Sequence, residues 1–296
     1  MTTIILTDNL KNEVNLALRS LPPINNTDID ISSFLQAVRN LPCDLSNALE
    51  YLIKICRELL RQNGYVHLRG LDMMPDARGI LALGDKLGNV FVDLAQQSTV
   101  VVEASPTIDS NLQGNQTEAL FMHTDFAMLE QPPAVTIIHC RQEDPLGSEF
   151  GRNGIAVAQH IVSRLFGSDE LEKLYSVSLP FAGRTPSGED IVIHCPIFRK
   201  TNFPELTHVR FHPSRIHHGY RMLSRTASQS ESEVLRFFLK AAQDVRIDLS
   251  LQPGDFLFVN NRAALHDRSR CSLKLGVDSI QARVTQILFV QELACA

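Results

Sequence analysis

Apolar residues recur at helical spacing along residues 45–62, LSNALEYLIKICRELLRQ, where Leu49, Leu52, Ile53, Cys56, Leu59 and Leu60 share one face. Ser46 is placed to cap this helix, and Asn63-Gly64 ends it. Residues 8–20, DNLKNEVNLALRS, read as an earlier helix capped by Asp8. YVHLRGL then reads as a strand, and DARGILALGDKLG as a second short helix. From residue 90 the pattern shifts to short β-rich runs at 98–104, 134–140, 190–198, 206–212, 255–261 and 283–291, with Gly, Pro, Asp and Asn between many of them. Two helical segments interrupt them, AVAQHIVSRLFGSDELEKLYS and ESEVLRFFLKAAQDVR. Many short strands with a few helices predict a mixed α/β chain, mainly β, built as a barrel or jelly roll with helices packed outside it.

Composition narrows the function. A chain of 296 residues with net charge −5 lacks the basic balance of a general nucleic-acid binder. No apolar run approaches the roughly 18 residues of a membrane span, and the N-terminus MTTIILTDNLKNEVNLALRS has no basic region of the signal-peptide kind. Six scattered cysteines without a CxxC pair read as reduced thiols in a cytoplasmic protein, not as a zinc site. Neither GxGxxG nor GxxxxGK[ST] occurs, so phosphate-loop functions are not expected.

The chemistry concentrates in three places. In FMHTDFAMLEQPPA, His123 and Asp125 stand at i and i+2, which face the same way if the segment is a strand. In FLFVNNRAALHDRS an apolar strand ends at Asn260-Asn261, and His266 follows in the next turn. Arg283 opens the last β-run, RVTQILFVQ. Two histidines and one carboxylate form a facial set that holds non-haem Fe(II) with positions left open, whereas a structural zinc site closes its tetrahedron. An arginine fork suits a distal carboxylate, since it pairs with both oxygens.

In this order and spacing, HTDFAMLEQPP, LQPGDFLFVNNRAALHDRS and the arginine-led final strand resemble the taurine/2-oxoglutarate dioxygenase superfamily, including its clavaminate-synthase-like members. The resemblance starts at NGYVHLRGL and ALGDKLGN and covers most of the chain. It implies a single domain over residues 1–296, with a helical part at 1–90 and a double-stranded β-helix (jelly-roll) core at 90–296. It further implies Fe(II) on His123, Asp125 and His266, 2-oxoglutarate anchored by Arg283, and O2 as oxidant. The implied reaction takes hydrogen from a substrate C–H bond, with succinate and CO2 as co-products. Asp125 speaks against the halogenases of the superfamily, which lack the carboxylate, and favours hydroxylation or a related oxidation.

The chain departs from its relatives at three points. Where many carry GGxT, with a threonine that helps hold 2-oxoglutarate, it reads LGSEF; a gap-free match puts Phe150 in the threonine's place, and Ser148 substitutes after a local shift. Where relatives have HGR it has His266-Asp267-Arg268, and where many repeat an arginine four residues after the anchor it has Ile287. Five histidines crowd residues 194–218 (His194, His208, His212, His217 and His218), but without HxHxH spacing, so PSRIHHGYR reads as a polar loop rather than a second metal site. Arg210 and Arg215 in that region are the candidates for binding an anionic substrate group. The expected partner is a small, polar, carboxylate-bearing molecule, with no nucleic acid and no membrane. The competing expectation is a non-catalytic jelly-roll protein that binds a metal or small molecule, motivated by the missing threonine.

Overall fold

The computed structural model describes residues 2–24, 31–91, 100–107, 110, 113–185, 187–201, 207–277 and 279–294. Ser98, Thr99, Leu206 and Cys295, which enter the expectations above, lie outside them.

The N-terminal part runs β1 (Thr3–Ile5), α1 (Asp8–Ser20), α2 (Ile31–Arg39), α3 (Cys43–Asn63), β2 (Tyr65–Arg69) and α4 (Arg78–Leu87). Thr7, not Asp8, is the N-cap of α1, and Asp8 sits in the first turn, where a carboxylate complements the positive helix end. Ser46 is likewise no cap: α3 starts at Cys43 after Pro42, and the Ser46 hydroxyl donates to Glu50. Gly64 ends α3 as expected, at φ 76°, a left-handed conformation that costs glycine no Cβ clash.

The chain continues through β3 (Gly88–Val90), β4 (Val102–Ala104), β5 (Leu120–His123), β6 (Val135–Gln142), β7 (Asn153–Val157), α5 (Ala158–Arg164) and α6 (Asp169–Ser176). Next come β8 (Ser178–Arg184), β9 (Asp190–Pro196), β10 (Phe198–Lys200), β11 (Thr207–Val209), α7 (Pro213–Met222) and α8 (Gln229–Asp244). The last elements are β12 (Ile247–Leu249), β13 (Phe256–Asn260), β14 (Ala264–Arg268), β15 (Leu273–Leu275), β16 (Ile280–Ala282) and β17 (Val284–Leu293). The segment AVAQHIVSRLFGSDELEKLYS is two helices, not one, because Gly167 turns the chain at φ 79° and the Ser168 side chain caps α6. PSRIHHGYR is a helix, not a loop. Pro213 stands at its start, where a missing N–H costs little, and Ile216, Gly219 and Tyr220 form the buried face of α7. A Cβ on Gly219 would lie 2.5 Å from the Pro180 carbonyl oxygen, so glycine permits the close seating of α7 on β8.

Two sheets organise the molecule. One has strand order β1-β2-β13-β6-β17-β3, with β4 also paired to β17; the other has β12-β7-β14-β5. Pairing is antiparallel throughout these sheets except between β1 and β2. Strand alternation sorts the side chains into layers. Phe256 and Phe258 of β13, with Leu288 and Val290 of β17, pack against α1 to α4. Leu257 and Val259 of β13 instead join Ile155 and Val157 of β7 and Ala264 of β14 in a core between the sheets. Ala156 and Leu265 face outward to a third core with α5 to α8. Each fully buried Phe or Leu in these layers contributes roughly 1.5–3 kcal/mol relative to exposure. The candidate site lies between the two sheets, beyond that middle core.

Candidate metal centre and its cavity

His123 is the last residue of β5, and His266 stands directly opposite it in the middle of β14. His266 is therefore a strand residue, not a turn residue. Asp125 lies past the end of β5, so the same-face argument from strand spacing is not what unites the pair. A turn brings the carboxylate in. His123 Nε2 is 3.7 Å from Asp125 Oδ1, and His266 Nε2 is 3.5 Å from Asp125 Oδ2. One ligand atom from each of the three residues falls within 4.8 Å of the other two.

The turn is fixed by its neighbours. Asn261, buried at the end of β13, accepts from the Asp125 backbone N–H at 2.7 Å and donates to the Asp125 carbonyl at 3.1 Å and the Pro133 carbonyl at 2.9 Å. Thr124 donates its backbone N–H to the Phe211 carbonyl at 2.7 Å, and its hydroxyl accepts from the Phe211 N–H at 3.2 Å. The chain then turns at Phe126 with φ 52°, a conformation that costs a residue bearing Cβ roughly 1–2 kcal/mol. Thr136 of β6 donates its hydroxyl to Asp125 Oδ2 at 2.5 Å and orients the carboxylate.

The donor set suits Fe(II). His123 Nδ1 lies 2.7 Å from the Phe121 carbonyl oxygen, which places the ring proton there and leaves Nε2 as the free donor. Burial pushes His266 down to about 4, opposed by the Asp125 carboxylate, so the imidazole is neutral with a lone pair to give. Its Nδ1 is buried and has no hydrogen-bond partner among the described residues. Two imidazoles and one carboxylate at one cavity are the donor set that would hold a non-haem iron.

That cavity measures about 350 Å³. Arg283, immediately before β17, lines it and is buried; its Nη2 donates to Asn153 Oδ1 at 2.8 Å. Burial lowers the Arg283 pKa, but guanidinium is basic enough to stay charged. Gly151, at φ 60°, leaves the room Arg283 needs, since a Cβ there would stand 2.5 Å from Arg283 Cδ. Ser148 is not beside the arginine. It lies in an exposed turn outside the cavity lining, and Asn153, the first residue of β7, occupies the place next to Arg283.

The two candidate substrate arginines separate. Arg215, on α7, lines the cavity with the triad. Arg210 does not: its guanidinium donates to the carbonyls of Ala127, Leu129 and Glu130 at 3.1, 2.6 and 2.9 Å, bracing the turn that follows Asp125, and it borders a separate surface cavity. Arg268 is spent on the carbonyls of Gly114, Gln116 and Glu118. Asp267 lines the cavity while paired to Arg246 at 2.6 and 2.8 Å.

Four contributors were not singled out from the sequence: Thr136, Asn153, His212 and Asn261. His212, the N-cap of α7, stacks obliquely on His123 with ring centroids 5.1 Å apart and lines the cavity. Burial, followed by the charges of His123 and Arg215, pushes its pKa to about 2, so it is a neutral hydrogen-bonding group. Asn261 left the clearest trace, as the residue that follows Asn260 at the end of β13. His212 stood out only as one of five crowded histidines, because its place beside His123 follows from the docking of Phe211 on Thr124.

The sequence matches the profile of the taurine catabolism dioxygenase TauD, TfdA family over residues 33–273, most of its length. The chain belongs to that family. It is thus an Fe(II)- and 2-oxoglutarate-dependent dioxygenase, with O2 as co-substrate. Solved structures share the fold of this dioxygenase. Asparagine oxygenase with Fe(II), (2S,3S)-3-hydroxyasparagine and succinate superposes with a TM-score of 0.75 at 18% identity, covering 98% of this chain and 94% of that one. The non-heme iron oxygenase OrfP with Fe and alpha-ketoglutaric acid gives 0.70 at 15% identity, over 98% and 94%. PvcB from Pseudomonas aeruginosa gives 0.59 at 19% identity, over 80% and 79%. A search of curated protein sequences finds no match to the chain.

Proposed function

We propose that the dioxygenase hydroxylates a C–H bond of a small molecule bearing an anionic group, with iron held by His123, Asp125 and His266. The convergence of those three donors in one cavity with Arg283 carries this reading. Iron, 2-oxoglutarate and O2 together supply oxidative decarboxylation coupled to hydrogen removal from the substrate. The protein's own residues supply geometry. Thr136 and Asn261 hold Asp125, and the Phe121 carbonyl holds His123. Arg283, steadied by Asn153, pairs the far carboxylate of 2-oxoglutarate. Asn153, beside Arg283, is our candidate for the part of the missing threonine, which supports the catalytic reading over a non-catalytic binding protein.

Arg215 and His212 are placed to receive the substrate's anionic or acceptor group. Asparagine oxygenase and OrfP, whose structures hold hydroxylated amino acids, support a small-molecule substrate. We read the two facing sheets as the halves of a jelly roll and residues 1–296 as one catalytic domain. Among the described residues all five cysteines are free, which supports a reducing, cytoplasmic setting. No helix among them is long and apolar enough to cross a membrane.

An anaerobic titration with Fe(II) and then 2-oxoglutarate tests the assignment. A weak visible charge-transfer band is expected in the wild type, absent in His123→Ala and requiring more 2-oxoglutarate in Arg283→Ala. No band in the wild type despite bound iron sinks the co-substrate assignment.

A further inference from the structure

One side of the cavity is apolar, and it is continuous with the triad. Strand β17 turns Thr285, Ile287 and Phe289 into the cavity, while Leu288 and Val290 point the other way into the helical layer. Ile287 pairs across the sheet with Ile138, two residues along β6 from the Thr136 that holds Asp125. Phe126, the residue after Asp125, completes the surface. The rings of Phe91, Phe126 and Phe289 meet edge to face, with centroids 4.8 Å (Phe91–Phe126), 4.9 Å (Phe126–Phe289) and 6.5 Å (Phe91–Phe289) apart.

Two observations show that this wall is more than filler. Ile287, Phe126 and Phe289 are only half-buried although they line an interior, so among the described residues they offer hydrocarbon surface to the cavity. Phe126 also holds its left-handed backbone, φ 52°, where glycine or asparagine is favoured. A bulky ring kept in a strained position beside a metal site points to a use for the ring. Past Arg283, β17 presents no charged side chain to the cavity. Between Ile287 and Phe289 a substrate amide or guanidinium would lose water and meet no charged side chain of β17, since, apart from Asp125, the cavity's carboxylates, Glu103 and Asp267, come from β4 and β14.

We propose that the substrate lays an aliphatic or aryl segment against Phe126, Ile138, Ile287 and Phe289, that the oxidised C–H bond belongs to this segment, and that these four side chains set specificity. The proposal rests on the oxygenase reading above. It describes an amphipathic carboxylate, with its charged end towards Arg215 and His212, rather than a polar amino acid.

The test uses protein loaded with Fe(II) and N-oxalylglycine, so that probe carboxylates cannot occupy the co-substrate position. Calorimetric titrations with the series butyrate to octanoate, with 3-phenylpropionate, and with asparagine and arginine read the wall directly. Affinity is expected to rise about threefold to fourfold per added methylene. Octanoate or 3-phenylpropionate should bind at least about tenfold more tightly than asparagine. Ile287→Arg should flatten the series, and Phe289→Ala should weaken its longest members about tenfold, with thermal melting checking that each variant folds. Affinity independent of chain length, or tighter binding of asparagine or arginine, overturns the proposal. If Fe(II) and N-oxalylglycine bind but no carboxylate probe does, the substrate class fails alone and the oxygenase reading stands. If neither Fe(II) nor N-oxalylglycine binds, the oxygenase reading fails and takes the substrate class with it.

Discussion

At the triad end of the cavity, Asp125 is held through its backbone N–H, its carbonyl and its carboxylate by Asn261 and Thr136, and His123 through Nδ1. Along β17 the apolar side chains of Ile287 and Phe289 are positioned by packing. The first half is directional: a lost hydrogen bond weakens the site, and a ligand displaced by about 1 Å can cost roughly a hundredfold in rate. The second half is shaped by volume, and volume-conserving changes there are tolerated. The difference teaches where each property of such an enzyme resides. Reaction type is fixed by a few residues with few permitted alternatives, and selectivity by a surface that drifts easily.

The largest expected effect tests the directional half. His123→Ala or His266→Ala should abolish Fe(II) binding and substrate-dependent succinate formation, and turnover near wild type in either variant would remove the triad. Next comes the co-substrate anchor. Arg283→Met should raise the 2-oxoglutarate KM roughly 10–100-fold, the equivalent of about 1.5–3 kcal/mol for hydrogen bonds to a charged group. Asn153→Ala should raise it less, and Ser148→Ala should leave it unchanged. A Ser148 effect larger than the Asn153 effect would reverse that assignment. The supporting bonds follow: Thr136→Val or Asn261→Ala should weaken Fe(II) binding roughly 10–100-fold, as loss of outer partners does.

In the packed half, Ile287→Leu should cost under about 1.5 kcal/mol of stability and change substrate KM only a few-fold, with the 2-oxoglutarate KM as the internal reference. A collapse of activity in that variant would erase the contrast between the halves. The smallest effect lies outside both. Arg225 and the capping box with Ser228 hold the Glu231 carboxyl at about 2, below the ordinary 4.5. This stabilisation is fully present above the ordinary value and is lost as pH falls through about 2. Glu231→Gln should cost about 1 kcal/mol in urea unfolding at neutral pH and flatten the acid limb of the stability profile.

That His123, Asp125 and His266 meet, and that Arg283 shares their cavity, was legible in the sequence because the types, order and spacing of such residues are constrained by metal and carboxylate chemistry. Strand spacing does not unite His123 and Asp125, since β5 ends at His123 and a turn delivers Asp125. Helix α3 was legible from its periodicity, and β6 from its β-rich apolar run. Helix α7 was not, because its five polar residues around Ile216 and Tyr220 carry a loop's composition, and burial against β8 overrides it.

By itself, then, the sequence determined the class of chemistry and most of the β-rich core, since both depend on residue types at local or ordered spacing. Only the tertiary structure decided that Arg210 braces a turn while Arg215 faces the cavity, that Asn153 rather than Ser148 stands beside Arg283, and that His212 meets His123. Each of these contacts joins residues far apart in the chain. Their partners are chosen by strand register and by which face of a strand or helix is buried, and no local pattern of residues encodes those choices.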